Sequence, residues 1–197
     1  KVSSVTLPTE PITLVKTKNG KIQVTIEPLT SDNQKLEWSS SNSNIATVDE
    51  NGVVTGLKTG VVTITALTTD GSNISASVKI TIEPLKVETM HFSDSKFSIV
   101  KTEKKALSLT LNSEEVDDKT MKWTSEDESV ATVTQNMDAT YPLEAIITAH
   151  KVGKTVIKAE AQDGSGISAT CEVEVTSLMV SGVELMTASV IKTIPTK

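Results

Sequence analysis

A shift of 85 residues carries Trp38 onto Trp123, and the same shift carries Val5 onto Met90, Leu7 onto Phe92, Val24 onto Leu109 and Val48 onto Val133. Further along, a shift of 93 carries Gly60 onto Gly153, Asp70-Gly71 onto Asp163-Gly164 and Val78 onto Cys171. The chain of 197 residues is therefore an internal tandem repeat whose second copy holds eight extra residues between Val133 and Ala145. A repeat of this length restricts the fold more than composition does, because each copy must close its own core at an ordinary domain size.

Within a copy the apolar residues alternate with polar ones. Ile22, Val24 and Ile26 share one side of a strand and Lys21, Gln23, Thr25 and Glu27 the other. Val62, Ile64 and Ala66 do the same in a later run, as do Ile74, Ala76, Val78, Ile80 and Ile82 in the next. Period two with one apolar face specifies half-buried strands, and no stripe of helical spacing persists, so the chain reads as all-β. Pro8 and Pro11 interrupt the first apolar run, as expected of an edge strand, since proline donates nothing to a ladder. Turns are expected at Asn19-Gly20, at Asp49 to Gly52, at Thr59-Gly60 and at Asp70-Gly71, the last as a tight hairpin. Inward positions stay apolar or small in both copies, apart from Val62, which becomes Thr155. Outward ones change freely, as Lys79 does to Glu172. Two sandwiches are predicted, over 1–84 and 85–176, with 177–197 a partial third repeat or a closing strand. Glu83-Pro84-Leu85-Lys86 between them is too short and too poor in Gly and Ser for a loose tether.

Net charge is -6, and the 19 basic residues are dispersed among 25 acidic ones. Phosphate recognition needs a concentrated basic footprint, so no nucleic-acid partner is expected. No apolar run reaches the roughly 18 residues of a spanning helix. The chain starts at Lys1, so it reads as a mature or excised fragment whose leader or anchor lies elsewhere. One cysteine, Cys171, forbids an internal disulfide and leans toward a bacterial or phage source.

With the repeat in register, a resemblance can be named: both copies resemble bacterial immunoglobulin-like domains of group 2. In the first copy it is carried by Val5 and Leu7, Trp38-Ser39-Ser40, Ala46-Thr47-Val48, Gly52, Val54-Thr55, Gly60, Ile64-Thr65-Ala66 and Asp70-Gly71. The second keeps Trp123, Ser125, Ala131-Thr132-Val133, Gly153, Ile157, Ala159 and Asp163-Gly164, and departs at the turn glycine, which the insertion replaces. The resemblance implies tandem immunoglobulin-like Greek-key β-sandwiches, strung together in surface proteins similar to intimins and invasins or in phage virions, with no catalytic residues; no cofactor and no metal are expected. It implies an extracellular or cell-surface setting and a spacer or adhesion role toward a host or cell-surface protein or glycan. A phage tail or capsid appendage and an accessory module of a secreted polysaccharide-degrading enzyme are the alternatives.

Trp38 and Trp123 could stack on sugars, but their shared strand position beside Leu36 and Met121 favours a core role. Cys171 stands on an inward position and reads as a small hydrophobe. His91 and His150 lie in different strands without the spacing of a metal or catalytic set. The acidic runs Glu114, Glu115, Asp117, Asp118 and Glu126, Asp127, Glu128 match no calcium-loop spacing and read as solvated loops. The individual feature is the inserted loop Thr134 to Glu144, with Met137, Asp138, the only tyrosine Tyr141, and Pro142. Recognition residues concentrate on extended loops held by a rigid scaffold, so these four form a candidate partner-contact loop, the favoured alternative being a longer hairpin that packs on its own domain or its neighbour.

Overall fold

A computed structural model describes residues 1–138, 140 and 143–178. Among the described residues there are 17 strands and no helix, so the chain is all-β. They fall into two compact units: one of Lys1–Met90, Leu111–Thr120 and Ala161–Ile167, the other of His91–Thr110, Met121–Glu160 and 168–178.

The first copy forms β1 (Ser4–Thr6), β2 (Ile12–Val15), β3 (Asn19–Lys21), β4 (Thr25–Glu27), β5 (Leu36–Ser40), β6 (Ala46–Val48), β7 (Val53–Gly56), β8 (Gly60–Thr68) and β9 (Ser75–Glu83). One layer is the four-stranded sheet β2-β9-β8-β5; facing it are β3-β7-β6 and the pair β1-β4. Pro8 and Pro11 fall where the chain leaves β1, antiparallel to β4, and enters β2, parallel to β9 in the other sheet. A residue that cannot donate is tolerated there because the chain is between ladders. Alternation then sets the core. Val62, Ile64 and Ala66 on β8 and Val78, Ile80 and Ile82 on β9 are all buried, as are Ile22 and Val54 from the facing layer. Burying a side chain of this size stabilises by about 1.5 to 3 kcal/mol.

The second copy forms β10 (Met90–Phe92), β11 (Lys96–Val100), β12 (Lys104–Leu111), β13 (Met121–Ser125), β14 (Ala131–Gln135), β15 (Glu144–Ala149), β16 (Gly153–Ala161) and β17 (Ser168–Thr176). Its sheets are β10-β12-β15-β14 and β11-β17-β16-β13. Leu107, Ile147, Ile157 and Cys171 are fully enclosed. Burial pushes the Cys171 thiol up to about 11, as befits a small hydrophobe rather than a nucleophile. The polar replacement at Val62 is accommodated by hydrogen bonding. Thr155, 6% exposed, accepts the Asp127 N–H through Oγ1 at 2.9 Å and lies 3.1 Å from Ser125 Oγ. In the first copy the equivalent N–H, that of Asn42, goes to Ser40 Oγ at 3.3 Å.

Two expected turns are corrected. Asn19-Gly20 is not a turn but part of β3, paired with Thr55 and Val54. The reversal comes earlier, where Lys18 N–H donates to Val15 O at 3.0 Å and Thr17 takes φ 71°. Its counterpart recurs at Thr102, φ 76°, with Glu103 N–H on Val100 O at 3.0 Å. A threonine at positive φ is costly, and each is held there by a backbone bond to the next strand: Thr17 N–H to Gly56 O at 2.9 Å, Thr102 N–H to Ala149 O at 3.0 Å. The single strand expected over Lys21 to Glu27 is also broken in the first copy, into β3 and β4, whereas β12 runs unbroken.

The second correction concerns Asp70-Gly71, which is not a two-residue hairpin turn. The hairpin closes where Thr68 N–H donates to Ile74 O at 2.9 Å, so a wider loop lies between. Asp70 instead reaches the start of the chain: its Oδ2 accepts the Val2 N–H at 2.6 Å while Oδ1 accepts that of Ser72 at 2.9 Å. Asp163 repeats the arrangement with Val87 at 2.6 Å and Ser165 at 2.9 Å.

Candidate functional site

The copies part at the hairpin of β14 and β15. In the first copy the corresponding ladder, β6 with β7, runs from Ala46 opposite Gly56 to Val48 opposite Val54. In the second it runs from Ala131 opposite Ala149 to Gln135 opposite Ala145. Half of the insertion therefore lengthens the ladder and half lengthens the loop.

Asparagine and aspartate organise the loop's stem. Asn136 N–H donates to Glu144 O at 2.8 Å, and its side-chain Nδ2 donates to Glu144 Oε1 at 2.8 Å. Asn136 Oδ1 accepts the Asp138 N–H at 3.0 Å, and Asp138 Oδ1 accepts that of Thr140 at 2.9 Å. Short polar side chains that bond to the backbone two residues on give a loop its shape without a core. Hydrogen bonds from the Thr140 backbone and side chain hold the Asp138 carboxyl below its usual range, so it is ionised at neutral pH. Met137 beside it is 87% exposed. Among the described residues no nucleophile–base pairing accompanies them. Tyr141 and Pro142, the other two residues expected here, lie outside the described residues.

Trp38 and Trp123 occupy edge strands, β5 and β13, and both are half-buried. Trp38 packs against the first copy's core from its rim. Beneath its ring lies Gly52, at φ 75°, where an added Cβ would stand 2.7 Å from Trp38 Cζ2. The insertion removes that glycine from the second copy. There Trp123 packs on Phe92, ring centroids 5.7 Å apart and planes at 40°. Its indole Nε1 is shielded from solvent and has no hydrogen-bond partner among the described residues. Both rings are thus engaged with apolar neighbours, and neither stands as an open platform.

The acidic runs are tied up locally. Asp117, within the first unit, pairs with Lys16 Nζ at 2.9 Å and accepts the Leu85 N–H at 2.8 Å. Asp118 accepts the Thr120 N–H at 2.8 Å, and Asp127 accepts the Ser129 N–H at 2.9 Å and hydroxyl at 2.6 Å. Glu114, Glu115, Glu126 and Glu128 are exposed around them. Among the described residues no three His, Cys, Asp or Glu side chains stand together as a metal ion would need. His150 is exposed with Nε2 2.8 Å from Thr132 Oγ1, and His91 is exposed on β10.

One feature escapes sequence reasoning. A groove of about 690 Å³ crosses the outer face of β11, β17 and β16, lined by Lys96, Phe97, Lys154, Glu172, Glu174 and Glu126 among others. Lys and Glu alternate across it, with Lys154 Nζ 3.7 Å from Glu174 Oε1. The equivalent residues of the first copy are Pro11, Ile12, Val61, Lys79, Thr81 and Ser41, so only the register between copies could have flagged it.

Taken together, these sheets and connections define a pair of immunoglobulin-like β-sandwich modules. Sequence comparison supplies the family: the model of the bacterial Ig-like domain, group 2, matches residues 1–80 and 86–173, and the chain belongs to that family as two tandem copies. An uncharacterised protein of Clostridium acetobutylicum is 34% identical over 90% of this chain and 17% of its own length. An alpha-L-arabinofuranosidase of Bifidobacterium longum is 34% identical over 42% of this chain and 8% of its own length. The chain thus spans less than a fifth of either relative. Among solved structures, domains 4 and 5 of the S-layer protein SbsC align over 89% of this chain and 98% of that one, at 19% identity and a TM-score of 0.43.

Proposed function

We propose that this chain is a non-enzymatic segment of an extracellular bacterial surface protein. Two modules, about 1–84 and 85–176, act as a spacer and carry an adhesion site in the loop after Val133. The observation behind this reading is the pattern of difference between the copies. They coincide in core and turn chemistry, and they diverge in a hairpin whose tip exposes Met137 beside the ionised Asp138. A scaffold retained in both copies with one enlarged loop is how binding is added to a sandwich without disturbing its core. The partner class is a host or cell-surface protein or glycan. A matrix-protein and glycan array probed with this chain and with Met137→Ala and Tyr141→Ala variants tests it. Signals that fall in the variants support a contact loop, and signals that the variants leave unchanged contradict it.

A second reading is an accessory module of a secreted polysaccharide-degrading enzyme. It is favoured by the partial match to the arabinofuranosidase. Retardation of this chain in a gel containing an arabinose-rich polysaccharide supports that reading, and unretarded migration counts against it.

A further inference from the structure

We infer that Asn51-Gly52 is a spontaneous modification site, at which the backbone converts selectively to aspartate and isoaspartate and loosens the first module alone.

The chain contains two Asn-Gly pairs, Asn19-Gly20 and Asn51-Gly52. Asparagine before glycine is chemically labile because no side chain shields the following amide nitrogen. In the reaction Gly52 N attacks Asn51 Cγ, the N–H proton is lost and ammonia leaves, giving a five-membered imide. Water then opens that ring at either carbonyl. Opening on one side returns a normal backbone with an aspartate; on the other it leaves isoaspartate, with one additional methylene in the main chain.

The fold treats the two pairs differently. Asn19 and Gly20 lie in β3, held extended against Thr55 and Val54 of β7. That ladder is flanked by Gly56 N–H on Lys18 O at 3.1 Å and Ile22 N–H on Gly52 O at 2.9 Å. Asn51 is exposed in a connecting turn, secured by local bonds: Gly52 N–H on Asp49 O at 3.1 Å, and the Asn51 and Val53 N–H groups on Asp49 Oδ1 at 2.9 and 2.8 Å. Bringing Gly52 N onto Asn51 Cγ needs only this turn to open, whereas Gly20 N must first be released from a sheet.

The product matters at this position because Gly52 carries Trp38. At φ 75°, it leaves no room beneath the ring for even one carbon. An extra main-chain methylene displaces Gly52, breaks the bonds to Asp49 and lifts the indole from the rim of the core. The second copy has no Asn-Gly pair, and the insertion replaces its turn glycine, so deamidation at this turn is confined to the first module.

Peptide mapping by mass spectrometry, with fragmentation that separates isoaspartate from aspartate, tests this on the whole chain held in mildly alkaline buffer. Asn51 should convert at least about tenfold faster than Asn19, the difference being the opening of the β3 ladder. Tryptophan emission should shift to the red as isoaspartate accumulates, and Asn51→Gln should suppress both signals. In concentrated urea the two sites should convert at similar rates, since their dipeptide chemistry is the same. Conversion of Asn19 as fast as Asn51 in the folded chain would overturn the inference. So would a preference that persists undiminished in urea, because the fold would not then be its cause.

Discussion

Asp70 accepts the backbone N–H of Val2 through Oδ2 at 2.6 Å, across 68 positions of sequence. Hydrogen bonds from Ser72 and the Val2 amide lower its carboxyl to about 2. Because the folded value lies below the ordinary 3.8, the contribution is complete above the unfolded value and disappears as pH falls through the folded one. The first module should therefore lose stability between about pH 4 and pH 2 through this group. Asp70→Asn should lower the melting temperature at neutral pH and flatten that part of the profile. Thermal unfolding followed against pH reads this, and parallel profiles for the two proteins would contradict it.

The hairpin at Asp70-Gly71 also shows what the sequence disclosed and what it withheld. Alternation of Val62 to Ala66 and of Ile74 to Ile82 located β8 and β9, because period two depends only on residues near one another. Asp-Gly marked a reversal correctly, but the carboxylate's partner, Val2, is remote, and no local pattern announces it. Asn19-Gly20 misled for a related reason. It has the composition of a turn, yet the reversal was taken by Thr17, a residue that seldom adopts positive φ, under the constraint of Gly56 O in another strand. The candidate loop was legible only as a difference between copies. Its Met137 and Asp138 are placed by Asn136 and Glu144, whose pairing depends on the ladder continuing to Gln135.

Thr17 offers a direct measure of stored strain. Asparagine adopts the left-handed region far more readily than a β-branched residue, and the substitution keeps the N–H that bonds Gly56 O. Thr17→Asn should stabilise by about 0.5 to 1 kcal/mol, with Thr102→Asn similar. Urea denaturation measures it, and a destabilised Thr17→Asn would show that the side chain contributes more than the strain it costs.

Gly52→Ala confronts the same turn from the opposite side. The new methyl meets Trp38 Cζ2 at 2.7 Å on a backbone of φ 75°. A loss of about 2 kcal/mol or more is expected, together with a change in Trp38 emission. Equilibrium unfolding monitored by fluorescence checks both, and a loss under about 0.5 kcal/mol would mean the ring is not fixed there.

Thr155 tests whether the second copy's buried hydroxyl is structural. Thr155→Val removes the acceptor for Asp127 N–H, but Ser125 Oγ is placed to take it over as Ser40 does for Asn42. The single change should therefore cost under about 0.5 kcal/mol, and the double change with Ser125→Ala about 1 to 2 kcal/mol beyond the sum of the singles. A double-mutant cycle in urea gives the coupling; strict additivity would contradict the shared acceptor.

The most direct test of the account exchanges the hairpin tip. Residues 134 to 146 are replaced by the short turn of the first copy, Asp49 to Val53, which removes the eight inserted residues and keeps Val133 opposite Ile147, and the chimaera is compared with the parent on the same matrix-protein and glycan array and in thermal unfolding. The account predicts a cooperative unfolding transition like the parent's together with loss of the array signals. Signals retained at parental strength by the folded chimaera would contradict it and move the contact surface away from the loop after Val133.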